Sequence, residues 1–363
     1  MTEGRFPLPP GSVIGILGGG QLGRMLAMAA ARLGFDTAVL DPEGDAPAQR
    51  LAAHSIKGAY DDPQALAALA AVADLVTFEF ENVPARALDV LAAEGAATAP
   101  SGRALAVSQD RWEEKSFLNA AGAPTVAFAA VDGPGDIVAA LERLGRPLLI
   151  KSRRGGYDGK GQAWIEQPGE AEAVFAAVGR QPAIAEAPAD FRRELSVIAA
   201  RGRSGEIALY PLAENHHEAG ILRRTSAPAA VSPQTQGQAE RIAATLLAAL
   251  DYVGVIGIEL FERDDGRLLV NEFAPRVHNT GHWTLDGCEV DQFEQHIRAI
   301  AGWPLGPTDA IARVEMTNLI GDEANDWARL ASEPETRLWL YGKAEARPGR
   351  KMGHVNRLGP LKG

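Results

Sequence analysis

Through the first hundred residues, short apolar runs alternate with longer stretches whose apolar positions recur at helical spacing. Val13-Ile14-Gly15-Ile16-Leu17 reads as a short buried strand, and Gly18-Gly19-Gly20-Gln21-Leu22-Gly23 turns from it into a helix reaching about Leu33. Residues 37–41 form the next strand. Asp62 before Pro63 opens an Ala/Leu-rich helix to about Ala71, since an N-cap acid followed by proline is a helix start. Residues 75–80 give a third strand, and Pro84 starts the helix after it. Strands alternating with helices predict a parallel sheet covered on both faces.

Past Pro100-Ser101-Gly102 the pattern changes. Residues 110–118 make an amphipathic helix with Arg111 and Lys115 on neighbouring turns, Gly122-Ala123-Pro124-Thr125 breaks it, and a strand resumes at 126–128. Pro147-Leu148-Leu149-Ile150-Lys151 is a buried strand ending on a lysine. The loop after it, Arg153 to Gly161, carries four glycines and three cations, Arg153, Arg154 and Lys160. Backbone N–H groups of such a loop can approach a polyphosphate while the side chains neutralise it. It lacks the Walker spacing. The Ala/Leu-rich stretch 232–250 is a core helix, 253–261 a buried strand, 262–267 its turn, and a return strand begins at 268.

That last strand pair is mostly apolar, so Glu259 and Glu272 are costly intrusions, because an unpaired buried carboxylate costs several kcal/mol. With Asn271 beside them they make sense around Mg²⁺, which takes one or two carboxylates together with substrate phosphates. Arg276 and His278 follow on the same segment. The alternative is a pair of solvated carboxylates at a sheet end.

Composition narrows the field. The chain has 363 residues, 46% hydrophobic and 23% charged, which fits two or three globular domains. A net charge of −11 argues against a nucleic-acid or membrane-surface binder. Residues 337–363 nonetheless hold seven Lys or Arg against one acid, Glu345, which suggests a local anion site. The single Cys288 cannot form an internal disulfide and reads as a packed thiol of a reducing compartment. No apolar run reaches the length of a membrane span, and residues 1–10 carry no signal-peptide core. A cytoplasmic location is expected.

The first glycine turn has two readings. Gly18, Gly20 and Gly23 match the dinucleotide fingerprint, with Asp41 near the distance expected for an acid gripping ribose, and alone would predict a nicotinamide dehydrogenase. The same glycines also serve a tight turn at an open helix N-terminus. Gln21 can point into the crevice, and Glu79 stands at a strand's C-terminal end, where α/β sheets collect ligand groups.

A buried strand lysine, a glycine-rich loop, a strand bearing a glutamate and a second carboxylate preceded by asparagine together resemble the ATP-grasp superfamily. Four stretches, in order along nearly the whole chain, resemble its 5-(carboxyamino)imidazole ribonucleotide synthase family. They are Gly20-Gln21-Leu22-Gly23-Arg24-Met25, the run from Gly155 to Gly161, the run from Asn271 to Trp283, and the run from Arg347 to His354.

The resemblance implies an α/β chain with three parts. These are an N-terminal parallel, Rossmann-like α/β domain over 1–105, an ATP-grasp domain of two α+β lobes over 106–303 with its lid lobe at about 122–190, and a small β-rich C-terminal segment over 304–363. It implies ATP- and bicarbonate-dependent carboxylation of 5-aminoimidazole ribonucleotide through carboxyphosphate, in purine biosynthesis. Arg111 and Lys151 would contact the ATP phosphates, with Gly156, Tyr157, Asp158, Gly159, Lys160, Gly161 and Gln162 closing over them as a lid. Glu186 would begin the segment that holds adenine by backbone groups. Pro188 has no N–H, so the donor there is Ala187 or Ala189. Glu194 would take the ribose hydroxyls, with His217 also at the nucleotide, and Glu259, Glu272 and Asn271 would hold Mg²⁺. Arg276 would bind bicarbonate or carboxyphosphate, with Lys160 adding charge and Asp158 orienting the amine or accepting its proton. Gln21, Glu79, Tyr157, Asp158, His278, Asn279 and Thr280 would reach the second substrate, and Lys343, Arg350 and Lys351 its 5′-phosphate. Family members are often dimers, and the chain ends at Gly363 where many continue into a further strand and helix. Trp283, Trp303 and Trp339 are expected to pack structurally. Competing readings are another ATP-grasp ligase, of the formate-dependent glycinamide ribonucleotide transformylase or biotin carboxylase type, and a non-catalytic nucleotide-binding regulator.

Overall fold

The computed structural model describes residues 6–156 and 161–361. The alternating N-terminal pattern folds as β1 (Val13–Leu17), α1 (Gln21–Arg32), β2 (Asp36–Asp41), β3 (His54–Lys57), α2 (Pro63–Val72), β4 (Leu75–Phe78), α3 (Arg86–Ala93) and β5 (Ala97–Thr98). The strands form a parallel sheet in the order β3-β2-β1-β4-β5. β1 and β4 lie side by side at its centre, so their C-terminal ends, Leu17 and Phe78, deliver the glycine turn and Glu79 to one crevice. Asp62 caps α2 through the N–H of Gln64, as its place before Pro63 predicts. The strand expected over 75–80 ends at Phe78, and the helix expected from Pro84 begins at Arg86.

α4 (Gly102–Ser108) and α5 (Arg111–Ala120) lead into a four-stranded antiparallel sheet made of β6 (Phe128–Val131), β7 (Leu148–Ser152), β8 (Gln162–Ile165) and β9 (Ala183–Glu186) in the order β6-β9-β7-β8. α6 (Pro134–Leu144) and α7 (Ala171–Ala177) supply its apolar cover, with Ile137, Leu141 and Phe175 against Leu148 and Ile150. The strand expected at 126–128 sits at Phe128–Val131 instead.

The third sheet is the largest. β10 (Arg193–Arg201), β11 (Ile207–Leu209), β12 (Ala213–Glu218), β13 (Ile221–Ala227), β14 (Gly254–Glu262), β15 (Leu268–Ala274), β16 (Arg313–Ile320), β17 (Thr336–Leu340) and β18 (Lys351–Gly359) run in the order β15-β14-β10-β12-β13-β16-β18-β17, with β11 on β10. α8 (Pro233–Ala249), capped by Ser232, packs Leu246 and Leu247 against Ile256 and Ile258, so the stretch 232–250 is the core helix it reads as. α9 (Thr284–Gly287), α10 (Gln292–Ala301) and α11 (Trp327–Ser332) complete the α-helices among the described residues. The C-terminal strands do not form a sheet of their own: β16 pairs with β13, so residues 313–359 extend the sheet that carries Glu259. One core joins Ile14, Leu26 and Phe35 of the first domain to Ile297 and Ile300 of α10, and α1 lies on α10.

Candidate functional site

A cleft of about 830 Å³ opens where the three sheets meet. Of the expected residues, Gln21, Glu79, Arg111, Lys151, Gly156, Gln162, Glu194, His217, Glu259, Asn271, Glu272, Arg276, His278, Asn279 and Lys351 line it. Tyr157, Asp158, Gly159 and Lys160 lie outside the described residues.

The glycine turn is closed to a dinucleotide. Glu79 accepts the N–H of Gly20 and of Gly23, and Asp41 accepts the N–H of Gly19, so the helix N-terminus already holds carboxylates from its own chain. Asp41 also accepts the N–H of Glu43 at 2.8 Å and the Tyr60 hydroxyl at 2.7 Å, which leaves no ribose-gripping role. Glycine is needed because a Cβ on Gly20 would lie 2.5 Å from Glu79 Oε1. The nicotinamide reading is therefore corrected: these glycines admit Glu79. Burial pushes the Glu79 carboxyl up, against the pull of the two N–H groups.

Glu259 and Glu272 face each other as direct cross-strand partners on β14 and β15. Like charges directly opposite are destabilising in a sheet. Accordingly burial, and then the Glu272 charge, push the Glu259 carboxyl up to about 7. Asn271 Nδ2 lies 3.5 Å from Glu259 Oε2. All three offer oxygen, the donor type that suits Mg²⁺. Among the described residues no three His, Cys, Asp or Glu side chains gather as a metal cage. A two-carboxylate seat is the kind Mg²⁺ shares with phosphate, so the residues fit it.

On the phosphate side, Lys151 Nζ is 2.8 Å from Glu186 Oε2, and Lys115 Nζ is 3.5 Å from Glu186 Oε1. Burial opposes the Glu186 charge, but Lys151 and Lys115 hold its carboxyl below the usual range. Glu186 thus acts through its side chain, fixing Lys151 where β7 ends. Arg111 donates to the carbonyls of Ser152 and Gly156, anchoring the start of the glycine loop. Two of that loop's three cations are engaged elsewhere: Arg153 and Arg154 pair with Asp110, the N-cap of α5. Ala187 is corrected as an adenine donor, because its N–H goes to Ala127 O at 2.9 Å; Ala189 remains. His217 Nδ1 sits 2.6 Å from Glu194 Oε2. Burial works against a charged His217, yet Glu194 and Glu259 raise its pKa.

Arg276 is paired with Glu81 through Nε and Nη2. His278 is neutral, its pKa driven well below the ordinary value by burial and then by Arg276 and Lys351. Its Nδ1 is 2.9 Å from Thr280 Oγ1. Thr280 is fully buried and off the cleft wall, so its expected contact with substrate is corrected: it orients His278. Asn279 and Asn318 exchange amide hydrogen bonds of 3.0 and 2.9 Å. Lys343 donates to Lys351 O at 2.8 Å, half-buried at the edge of the cleft and near enough to Glu79 to feel its charge. The Arg350 guanidinium is bound to Glu345 O at 3.0 Å and does not line the cleft, because the turn before β18 folds it back on itself.

Glu81, Glu114 and Lys115 are the functional candidates that the residue pattern left out. The signal was available in α5, where Glu114, Lys115 and Leu118 share the buried face. Charges on the core-facing stripe of a helix call for partners. Cys288 is a buried thiol pushed up to about 12 by burial, in keeping with a packing role. Trp283 is fully buried, Trp303 lies against Phe35, and Trp339 donates to Asp286, so all three are structural.

Comparison with known proteins adds three family matches. A ribonucleotide synthetase preATP-grasp domain matches residues 12–109, an ATP-grasp domain 116–293, and a phosphoribosylaminoimidazole carboxylase C-terminal domain 315–362. The N5-carboxyaminoimidazole ribonucleotide synthase of Brucella melitensis biotype 1 is 54% identical over 97% of this chain and 98% of its own. The crystal structure of the Thermus thermophilus synthetase of that name superposes with a TM-score of 0.89 at 44% identity, covering 95% of this chain and 93% of that one. The Aspergillus clavatus synthase, in complex with ADP and 5-aminoimidazole ribonucleotide, gives a TM-score of 0.91 at 33% identity over 97% and 94% of the two chains.

Proposed function

The chain belongs to the N5-carboxyaminoimidazole ribonucleotide synthase family of ATP-grasp ligases, and from that premise we propose how its cleft performs the ATP-dependent carboxylation of 5-aminoimidazole ribonucleotide in purine biosynthesis. The observation that carries the reading is the Glu259–Glu272 pair lining one cleft with Lys151 and Arg276. Mg²⁺, when bound by Glu259, Glu272 and Asn271, supplies positive charge to phosphate oxygens.

Lys151, held by Glu186, and Arg111 neutralise the ATP phosphates, while Glu194 and His217 take the nucleotide's ribose. Bicarbonate is a poor electrophile, so its oxygen attacks the γ-phosphoryl group and ADP leaves. That step needs positioning and charge neutralisation rather than covalent help. Arg276 is the residue suited to bicarbonate and to the carboxyphosphate formed. The amine of aminoimidazole ribonucleotide then attacks the carboxyl carbon and phosphate departs, with Asp158 orienting the amine or accepting the proton it loses. Gln21, Glu79, His278 and Asn279 border the second substrate, and Lys343 and Lys351 attract its phosphate. His278, being neutral, serves as a hydrogen-bonding group and not as a cation. Among the described residues no helix is long and apolar enough to cross a membrane. A cytoplasmic place agrees with the single cysteine, and a homodimer rests on the family resemblance alone.

The test is ADP release by purified protein. It is expected to be efficient only with ATP, Mg²⁺, bicarbonate and aminoimidazole ribonucleotide together. Glu272→Gln should lower turnover about 100-fold or more, because several kcal/mol of charge stabilisation goes with the metal. Its melting temperature should not fall, since Glu272 is exposed and the change removes a like charge facing Glu259. Full activity in that variant, or ADP release indifferent to bicarbonate, overturns the assignment.

A further inference from the structure

β15 is the outer strand of its sheet, so the backbone groups on its far side need partners from elsewhere. It also carries a bulge. Glu259 stands opposite Glu272 and Leu260 opposite Val270, so Asn271 is an extra residue in the ladder. In an unbroken strand neighbouring side chains point to opposite faces. Here Asn271 and Glu272 are neighbours and both line the cleft. The bulge brings the amide and the carboxylate to one place, and whatever holds the bulge holds the seat.

Three groups hold it from outside. The Val270 N–H donates to Pro124 O at 2.7 Å, Lys115 Nζ donates to Asn271 O at 3.1 Å, and the Phe273 N–H donates to Glu114 Oε1 at 2.7 Å. Two of these partners are consecutive residues of α5, and both are ionisable side chains buried to 4% and 2% exposure. Charged side chains are almost never buried this far without a specific task. Lys115 does not line the cleft, so its task is not to touch a ligand; Glu114 borders the cleft, but its Oε1 is committed to the Phe273 N–H. Its second neighbour, Glu186 at 3.5 Å, is the carboxylate that fixes Lys151, so one ammonium ties the bulge to the phosphate-side lysine.

We propose that Glu114 and Lys115 are positioning residues that clamp the β15 bulge and so aim Asn271 and Glu272 at the Mg²⁺-bound phosphates of the nucleotide. The clamp rests on the reading of Glu259, Asn271 and Glu272 as the cation seat. Outer partners of metal ligands typically carry tenfold or greater effects on affinity, and an α5 clamp of this kind acts in the same manner.

Calorimetry of ADP binding with and without Mg²⁺ separates the two layers. The intact chain should bind ADP more tightly with Mg²⁺, and Glu272→Gln should lose that gain. If it does not, the cation seat itself is wrong. With the seat sound, Lys115→Met should lose about tenfold of the Mg²⁺-dependent gain, while its Mg²⁺-free ADP affinity, which Lys115 reaches only through Glu186 and Lys151, falls by clearly less. Glu114→Leu should behave like it, and Glu114→Gln, which keeps an acceptor for the Phe273 N–H, should restore the gain. A Lys115→Met or Glu114→Leu protein with an undiminished Mg²⁺-dependent gain overturns the clamp. So does one that unfolds or loses Mg²⁺-free affinity equally, because the pair would then serve the fold at large.

Discussion

Lys343 shows how a residue suited to its task can be unfavourable to the fold. Burial, and then the charges of Arg350 and Lys351, lower its pKa from 10.5 to about 8. The folded state thus binds fewer protons than the unfolded one between about pH 8 and 10.5, and over that window stability rises with pH. Below it, the charged ammonium destabilises the free protein by on the order of 1 kcal/mol. A phosphate monoester beside it would reverse that balance. The Michaelis constant for aminoimidazole ribonucleotide should therefore rise as pH passes about 8, and Lys343→Met should abolish this rise while raising the constant about tenfold at pH 7. The same variant should melt about 2 °C higher at pH 7 when free. A pH-independent constant in the natural chain, or a lower melting point in the variant, refutes the assignment. At this scale the sequence was legible where a residue broke a pattern, as Glu259 does in an apolar strand and Lys151 near the end of a buried one; Glu272, expected to be buried, is exposed because β15 is an outer strand. It was not legible where function depends on a distant partner. Nothing near Glu81 announces Arg276, which is 195 positions away.

At the scale of elements, the glycine turn after β1 separates motif from chemistry. A fingerprint reports that a backbone comes close to something, and here that something is Glu79 from the end of β4. Gly20→Ala places its Cβ 2.5 Å from the Glu79 carboxylate, so Glu79 must shift away from the N-terminus of α1. The N–H groups of Gly20 and Gly23 then lose their acceptor, at about 1–3 kcal/mol for each buried group left unsatisfied. The expected result is a lower melting temperature and loss of turnover through weaker aminoimidazole ribonucleotide binding, with ADP affinity retained. Fluorescence titration with NADH should show no binding in either form, and NADH binding would revive the dehydrogenase reading. Helices with caps and strands of pure apolar residues were legible. β12, whose sequence Ala-Glu-Asn-His-His-Glu shows no apolar alternation, was not. Nor was the pairing of β10 with β14, since periodicity identifies a strand but carries no information about its neighbour.

At the scale of the molecule, the cleft exists because the first domain is docked firmly on the large sheet, and α10 is the dock. Its His296 is fully buried between the two. The Val255 N–H can only donate, so Nδ1, at 3.1 Å, accepts from it; the proton therefore sits on Nε2 and is given to Thr77 Oγ1 at 2.9 Å. Burial drives the pKa of His296 down to about 3, and that of His354, in the C-terminal strands, equally to about 3. Both are neutral when folded. The unfolded chain binds more protons between about pH 3 and 6.5, so stability is lost as pH falls below 6.5, by up to about 1.4 kcal/mol per pH unit for each such histidine. His296→Leu should destabilise the protein at pH 7.5, because it strands the Val255 N–H, yet its melting temperature should fall less steeply than the natural chain's from pH 6.5 to 5. Parallel curves would mean that His296 is charged or exposed in the folded state. Residues 313–359 extend the sheet that bears Glu259, so the C-terminal segment should share this single acid transition with the rest of the chain. If it melts separately, as an independent small domain would, the cleft is held together less tightly than one continuous sheet requires.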